Sequence, residues 1–397
     1  MKLSKRVSDV GASMTLAMSA RASEMRASGV NVINLSAGEP DFPTPPAVLA
    51  AAHAFCDTGQ IKYTAAAGTP ELRDAVAALY AGRHSLDLGR RNVVISCGAK
   101  HALYVALQAL CNDGDEVVFA NPYWVSYPEM VKLACAVPVD VPTRADAGFQ
   151  LEPDAVADAI TDRTKVIVLN SPSNPTGAIT SAERVARIAE MAADRHIWLL
   201  SDEIYDQLCY DDASALSPLS LDQSVREWTI AINGVSKTYS MTGWRIGWAV
   251  GPEEVIGAMA RIQSHETSNP NTVGQVAALA AITGDQSVVA ERRAVFQRRR
   301  ELMLDGVRTI PDLECPEPQG AFYVFPKASP LYGRGGGGES IGGSLDLSMR
   351  ILRDAHVATV PGVAFGNDDH IRLSYATSEA DIEEGLRRVK ELLAELR

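Results

Sequence analysis

Chemistry in this chain concentrates where apolar runs give way to small, polar and charged residues. The richest such stretch is 233–247, NGVSKTYSMTGWRIG, which sets Lys237 and Arg245 among small hydroxyl residues. A lysine there can be a nucleophile and the arginine a fork for phosphate; two solvated cations are the plainer reading. The run Ile197–Ser201 is followed by Asp202, Glu203, Ile204 and Tyr205. A carboxylate at the end of a buried strand is unfavourable without a cationic partner, so Asp202 calls for one. A protonated ligand nitrogen would serve, and Tyr205 can face the same pocket.

Three further breaks repeat the pattern. After Asn92–Ser96 come Cys97, Gly98, Ala99 and Lys100, opening a helix. Small residues there expose backbone N–H groups to an anion, and the helix dipole adds to the attraction; a tight turn is the alternative. Trp124 follows Glu116–Ala120 and is either a stacking plate for a flat ligand or a core aromatic. Asn174 lies in 171–177, SPSNPTG, whose prolines and glycine would hold its amide rigidly toward a ligand oxygen; a purely structural loop fits equally well. Together, an anion cradle, an aromatic plate, an oxygen donor, a strand-end carboxylate and a lysine match one cofactor, pyridoxal phosphate. That cofactor needs a lysine Schiff base and an acidic partner for its ring nitrogen.

The elements that must position these residues alternate from about Glu71 to Pro252. Five apolar runs read as strands: Asn92–Ser96, Glu116–Ala120, Lys165–Asn170, Ile197–Ser201 and Trp228–Ile232. Helices are predicted over Ala99–Cys111 and Ala182–Arg195, the latter with Val185, Ile188 and Ala189 on one face. Apolar strands alternating with helices imply an α/β fold whose parallel sheet is covered on both faces, with ligands bound beyond the strands' carboxyl ends. Toward the end of the chain, Phe322–Phe325 and His370–Ser374 look like strands of a smaller sheet, and Glu379–Leu396 like an amphipathic helix. Pro252–Gly306 would bridge the two parts. Val10–Ala20 reads as an amphipathic helix rather than a signal peptide. Gly333–Gly343 reads as a flexible loop without chemistry.

The 397 residues suffice for about two to three domains. With 37 basic and 49 acidic residues the net charge is −12, which disfavours nucleic acid as a partner. The longest charge-free stretch, Thr267–Gly284, is too polar for a membrane span. None of the six cysteines has CxxC spacing, and several sit in apolar strand-like or helical runs, which fits buried thiols in a reducing, cytoplasmic setting; seven histidines without HExxH weigh against a structural zinc site.

Longer motifs carry a resemblance over nearly the whole chain: 35–42 LSAGEPDF, 62–73 KYTAAAGTPELR, 121–130 NPYWVSYPEM, 170–178 NSPSNPTGA, 201–205 SDEIY, 236–247 SKTYSMTGWRIG and 371–378 IRLSYATS. The chain resembles the class I, fold-type I pyridoxal-phosphate aminotransferases, nearest to bacterial aspartate aminotransferases of the aspartate/prephenate subgroup. The resemblance implies a large domain with a mostly parallel seven-stranded sheet sandwiched by helices, plus a small α/β domain from both chain ends. Its boundaries would be an N-terminal segment 1–45, a cofactor domain 46–290 and a small domain 291–397. Lys237 would hold the cofactor and shuttle the substrate α-proton, and Asp202 would keep the ring nitrogen protonated. Asn174 and Tyr205 would contact the ring oxygen and Trp124 would stack on the ring. Gly98, Ala99 and Arg245 would bind the phosphate, with Lys100 and Ser236 in the same site.

On the substrate side, Arg372 would clamp the α-carboxylate, the backbone at Gly38 would close over it beside Trp124 and Asn174, and Lys100 would reach a distal carboxylate. Tyr63 would reach the phosphate of a neighbouring subunit, implying a homodimer with active sites at the interface. The implied reaction is ping-pong transfer from an L-amino acid, most simply aspartate, to 2-oxoglutarate. Aromatic, prephenate, neutral or basic donors stay open, as does a lyase or oxidase on the same scaffold. Two departures bear on the donor. Glu266 stands where relatives usually carry serine, near the expected partner active site; a carboxylate there would repel aspartate unless it pairs with Lys100 or points away. Gly11 and Ala12 replace a hydroxyl or basic residue and a proline, which weighs against prephenate.

Overall fold

The computed structural model describes residues 3–11, 13–336 and 339–396. Ala12 and the centre of the glycine-rich stretch, 337 and 338, lie outside the described residues.

The principal sheet has seven strands: β1 Val93–Ser96, β2 Glu116–Asn121, β3 Val137–Pro142, β4 Thr164–Asn170, β5 Trp198–Asp202, β6 Thr229–Gly234 and β7 Gly247–Val250. Their spatial order is β1-β7-β6-β5-β4-β2-β3. All neighbours run parallel except β7, which is antiparallel to both β1 and β6. β1, β6 and β7 are buried along their whole length, as strands covered on both faces must be.

Five of the strands correspond to the apolar runs read from the sequence, with ends moved by a residue or two. Two were not legible there. β3 (VPVDVP) contains two prolines and is largely solvent-facing, which a strand tolerates only at a sheet edge, where one side needs no partner. β7 (GWAV) is short and emerges directly from the polar segment that holds Lys237 and Arg245.

The helices follow their apolar spacing. Ser181 caps Ala182–Asp194 by accepting from the Arg184 N–H, and Val185, Ile188, Ala189 and Ala192 are buried. Ser378 caps Glu379–Glu395, which buries Ile382, Leu386, Val389 and Leu393. The segment expected to bridge the two parts is three helices, Glu253–Glu266, Thr272–Thr283 and Ser287–Arg308. The last runs unbroken through residue 290. The N-terminal helix is split into Lys5–Asp9 and Met14–Ala27, and only Met18 and Ala22 of the longer piece are buried.

Residues from both ends of the chain meet. Ile33–Asn34 pairs in parallel with Val357–Ala358. Ile371–Ser374 lies between Val360–Pro361 and Tyr323–Val324 in a small antiparallel sheet. The glycine-rich stretch is not simply a loop: Gly335–Gly336 pairs with Glu339–Ser340 in a short hairpin.

Backbone elements approach too closely at β7 for side chains. A Cβ on Gly247 would lie 2.2 Å from the Ala99 nitrogen, whereas one on Gly243 would meet nothing within 4 Å. Gly247→Ala is therefore expected to lower stability by roughly 1–3 kcal/mol through forced backbone displacement. Gly243→Ala should stay within roughly 0.5 kcal/mol of wild type. Chemical denaturation of the two variants compares them directly; equal midpoints would contradict the close packing of β7 on the helix start.

Candidate active site

Five strands that run in the same direction lead, at their carboxyl ends, to residues of one site. β1 leads to Gly98 and Ala99, β2 to Trp124, β4 to Asn170 and Asn174, β5 ends on Asp202, and β6 leads to Ser236 and Lys237. The antiparallel β7 begins at this same edge, with Gly247 paired to both Ser96 and Gly234. That reversal sets Arg245 beside the start of helix Ala99–Leu110. Gly98 has φ +92°, and a Cβ there would lie 2.7 Å from Arg245 Nη2. The backbone conformation favours glycine, and a Cβ there would displace the end of the Arg245 side chain.

Except for Gly98, the residues to which these five strands lead line one cavity of about 570 Å³, together with Arg245, Gly38 from the N-terminal segment and Arg372 from the small sheet. Of the residues read from the sequence, Gly38, Ala99, Lys100, Trp124, Asn174, Asp202, Tyr205, Ser236, Lys237, Arg245 and Arg372 all line it. Gly98 adjoins it through Arg245. Tyr63 does not; it is 90% exposed, away from the cavity of its own chain.

Burial sets the electrostatics. Asp202 is 4% exposed; its Oδ2 accepts from Tyr127 Oη at 2.6 Å and its Oδ1 from the Ile204 N–H at 3.3 Å. Desolvation pushes its carboxyl up to about 6, against those two hydrogen bonds and the charge of Lys237. Its hydrogen-bond partners within the protein are neutral rather than cationic, so the cation that the sequence reading called for is not supplied by a direct contact among the described residues. Lys237 donates from Nζ to the Gly38 carbonyl. Desolvation brings its amine down to about 8; Glu39 opposes that shift, and Arg372 and Arg245 reinforce it. An amine so tuned is partly unprotonated near neutrality and available as nucleophile or base.

Arg372 is fixed by donation from Nη1 to Asn174 Oδ1 and from Nη2 to the Ser36 carbonyl, both at 2.9 Å. Its guanidinium lies 4.4 Å from the Tyr323 ring centroid and 5.0 Å from that of Phe365. With Oδ1 of Asn174 occupied, its amide nitrogen remains as the donor. Tyr205 and Tyr323 share a hydrogen bond between hydroxyls at 3.0 Å. The Lys100 ammonium sits 4.9 Å from the centroid of the Trp124 ring.

A profile for class I and II aminotransferases matches residues 30–389. The chain belongs to the class I and II aminotransferases. It is 43% identical over 389 residues to an aspartate aminotransferase of Geobacillus stearothermophilus, covering 98% of each. The crystal structure of the Rhizobium meliloti aspartate aminotransferase superposes with a TM-score of 0.95 at 41% identity, over 100% of both chains. That of the Thermus thermophilus aspartate aminotransferase with maleate gives 0.93 at 41% identity, over 99% of this chain and 100% of that one.

The cavity of this aminotransferase is also built from residues that the sequence reading passed over. Tyr127, on helix Ser126–Leu133, lies three positions after Trp124, but its contact with Asp202 depends on how that helix docks. Tyr323 is an alternating position in an ordinary-looking strand. Glu39 lines the cavity and accepts from Thr242 Oγ1 at 2.7 Å, and Thr15 and Ser19 reach it from helix Met14–Ala27. Glu266 is not a lining residue of this cavity; its Oε2 is 3.1 Å from His101 Nε2, so its partner is His101 rather than Lys100. The cysteines are less uniform than expected: Cys209 is buried, Cys56 and Cys135 are exposed, and all six are free thiols.

Glu203, next to Asp202, faces away from the cavity. Its carboxylate accepts from Ser201 and Ser217 hydroxyls at 2.9 and 2.6 Å, and desolvation still raises it to about 7. Both acids thus keep protons in the folded protein at pH values where an unfolded chain has lost them. The folded state binds more protons, so stability falls as pH rises from about 4 to about 7. Glu203→Gln removes one of these groups. Its thermal midpoint should vary less than that of wild type between about pH 5 and pH 8, and be the higher at the upper end. An unchanged pH dependence would show that Glu203 is ionised throughout.

Proposed function

We propose that this aminotransferase carries pyridoxal phosphate in the cavity and transfers the amino group of L-aspartate to 2-oxoglutarate by a ping-pong reaction. The observation that carries the reading is the meeting of Lys237, lowered to about 8, with a fully buried Asp202 and the fixed guanidinium of Arg372. The donor set fits the coenzyme. The space without a Cβ at Gly98, the start of helix Ala99–Leu110 and Arg245 form an anion cradle at one end of the cavity. When bound, the coenzyme supplies an electron sink for the pair left as the substrate Cα–H bond breaks.

The chain does the rest. Lys237 would hold the coenzyme, and its Nζ, when free, would take the substrate α-proton and deliver it to the carbon that receives it in amino transfer. Asp202 keeps the ring nitrogen protonated, with Tyr127 holding the carboxylate in place. Asn174 and Tyr205 donate toward the ring oxygen, Trp124 covers the ring, and Ser236, Lys100 and Ala99 complete the surround. Arg372 uses two of its five N–H groups on Asn174 and Ser36; the others are available for the substrate carboxylate, with the Gly38 backbone closing over it.

Several features support aspartate. The relatives named above are aspartate aminotransferases, one of them solved with maleate, a four-carbon dicarboxylate. Lys100 lines the cavity as a cation for a distal carboxylate. Within its own chain, Glu266 is held away by His101. The same reading takes the protein as a cytoplasmic homodimer in which the exposed Tyr63 completes the neighbour's phosphate site. It divides the chain at residues 45 and 290. No helix among the described residues is long and apolar enough to cross a membrane.

The test is incubation of the protein, loaded with pyridoxal phosphate, with aspartate and 2-oxoglutarate, followed by identification of products by mass. Glutamate formation is expected. Ammonia without glutamate would instead indicate a lyase or oxidase, and a panel of aromatic, neutral and basic donors checks the substrate. Lys237→Ala should lose at least about 10²–10⁴-fold in kcat. Arg372→Ala should raise KM for aspartate by roughly 10–100-fold, the value of charged hydrogen bonds lost. Near-normal turnover by Lys237→Ala would refute the assignment.

A further inference from the structure

Tyr323 touches both halves of the cavity. It opens the short strand Tyr323–Val324 and pairs with Ser374, so it shares a sheet face with Arg372, two residues earlier on the neighbouring strand. Its side chain is fully buried and lines the cavity. The Arg372 guanidinium lies 4.4 Å from its ring centroid, and its hydroxyl is 3.0 Å from that of Tyr205. A Cβ on Gly38 would come within 3.7 Å of the same hydroxyl, which therefore also lies beside the backbone whose carbonyl receives Lys237 Nζ.

Hydrogen counting sets the direction of the bond between the two phenols. A phenol has one hydrogen to give and lone pairs with which to receive. In the function proposed above, on which this inference rests, Tyr205 donates toward the ring oxygen of the coenzyme. Its hydrogen is then committed, and the 3.0 Å contact is closed by the hydrogen of Tyr323. The surroundings favour the same direction. Burial raises both phenols, Tyr205 the further, and at Tyr323 the charge of Arg372 is the largest opposing influence. The other charged groups that act on the pair are Asp202 at Tyr205 and Glu39 at Tyr323. A phenol polarised by a neighbouring cation is the better donor of the two, and a hydroxyl that accepts one hydrogen bond gives a stronger one in turn.

We propose that Tyr323 is a positioning residue for amino transfer: its hydroxyl donates to Tyr205 and so holds the Tyr205 hydrogen toward the coenzyme, while its ring face holds the Arg372 fork for the substrate carboxylate. The two tasks fall to different atoms, the oxygen serving the coenzyme side and the ring the substrate side. A hydrogen bond to the ring oxygen favours its anionic form. Weakening Tyr205 as a donor therefore moves protonation of the bound coenzyme to higher pH.

The test uses the full-length protein loaded with pyridoxal phosphate. It reads the absorbance of the bound coenzyme against pH, alongside kcat and KM for aspartate. Tyr323→Phe keeps the ring and removes the hydroxyl. It should raise the midpoint of the absorbance change by roughly one pH unit, the worth of about one hydrogen bond, with KM for aspartate within about twofold of wild type. Tyr323→Leu removes the ring as well and should in addition raise that KM by roughly 3–30-fold, the worth of a buried cation–π contact. In a Tyr205→Phe background, Tyr323→Phe should leave the midpoint where Tyr205→Phe alone puts it, because the hydroxyl acts through Tyr205. Each variant is checked for coenzyme content and an unchanged circular dichroism spectrum. Wild-type protein that takes up no pyridoxal phosphate overturns the cofactor reading and this inference with it. If wild type binds the coenzyme and forms glutamate, but Tyr323→Phe keeps the wild-type midpoint or shifts it equally with and without the Tyr205 hydroxyl, this inference alone is overturned. An unchanged KM in folded Tyr323→Leu overturns the part assigned to the ring.

Discussion

Removal of water from one cavity governs this site. The same desolvation that pushes Asp202 up to about 6 brings Lys237 down to about 8. An acid and a base are thereby moved toward neutrality from opposite sides, each by loss of its own hydration shell. Neither shift would exist on an open surface. It requires strands buried on both faces, and β5, which ends at Asp202, and β6, which ends just before the segment holding Lys237, lie near the centre of the seven-stranded sheet. The apolar bulk of the protein is in this sense part of the site's chemistry.

The strand period then sorts the charges. Asp202 ends β5 facing the cavity, and Glu203, the next residue, faces the opposite way into hydroxyl donors from Ser201 and Ser217. Two carboxyls in succession therefore answer to different surroundings, one open to a ligand and one enclosed by the protein. Arg372 shows the complementary arrangement. It is buried between the Tyr323 and Phe365 rings and held at both Nη atoms, so its fork is oriented before any carboxylate arrives.

The antiparallel β7 shapes the other end of the cavity. Because it starts where its neighbours stop, Arg245 reaches the beginning of helix Ala99–Leu110 from the side, over Gly98.

Gly38 and Arg372 came only with the family resemblance, whereas the residue types and spacings by themselves determined five of the seven sheet strands, the helices with clean apolar stripes, and the side chains at the strand ends, Lys100, Trp124, Asn174, Asp202, Tyr205, Lys237 and Arg245. These were legible because strand ends in a parallel sheet carry polar residues that the apolar runs cannot absorb, so Asp202, Asn174 and Lys237 stand out locally. The edge strand β3, with its prolines, and the short β7 carry no such local signature. Only the tertiary structure decided that Tyr127 holds Asp202, that Tyr323 meets Tyr205, that Glu266 turns to His101 and that Arg245 closes over Gly98. Each of these is a contact between residues distant in sequence or on separately docked elements, set by how the layers pack and by the direction of one strand, which no local periodicity records.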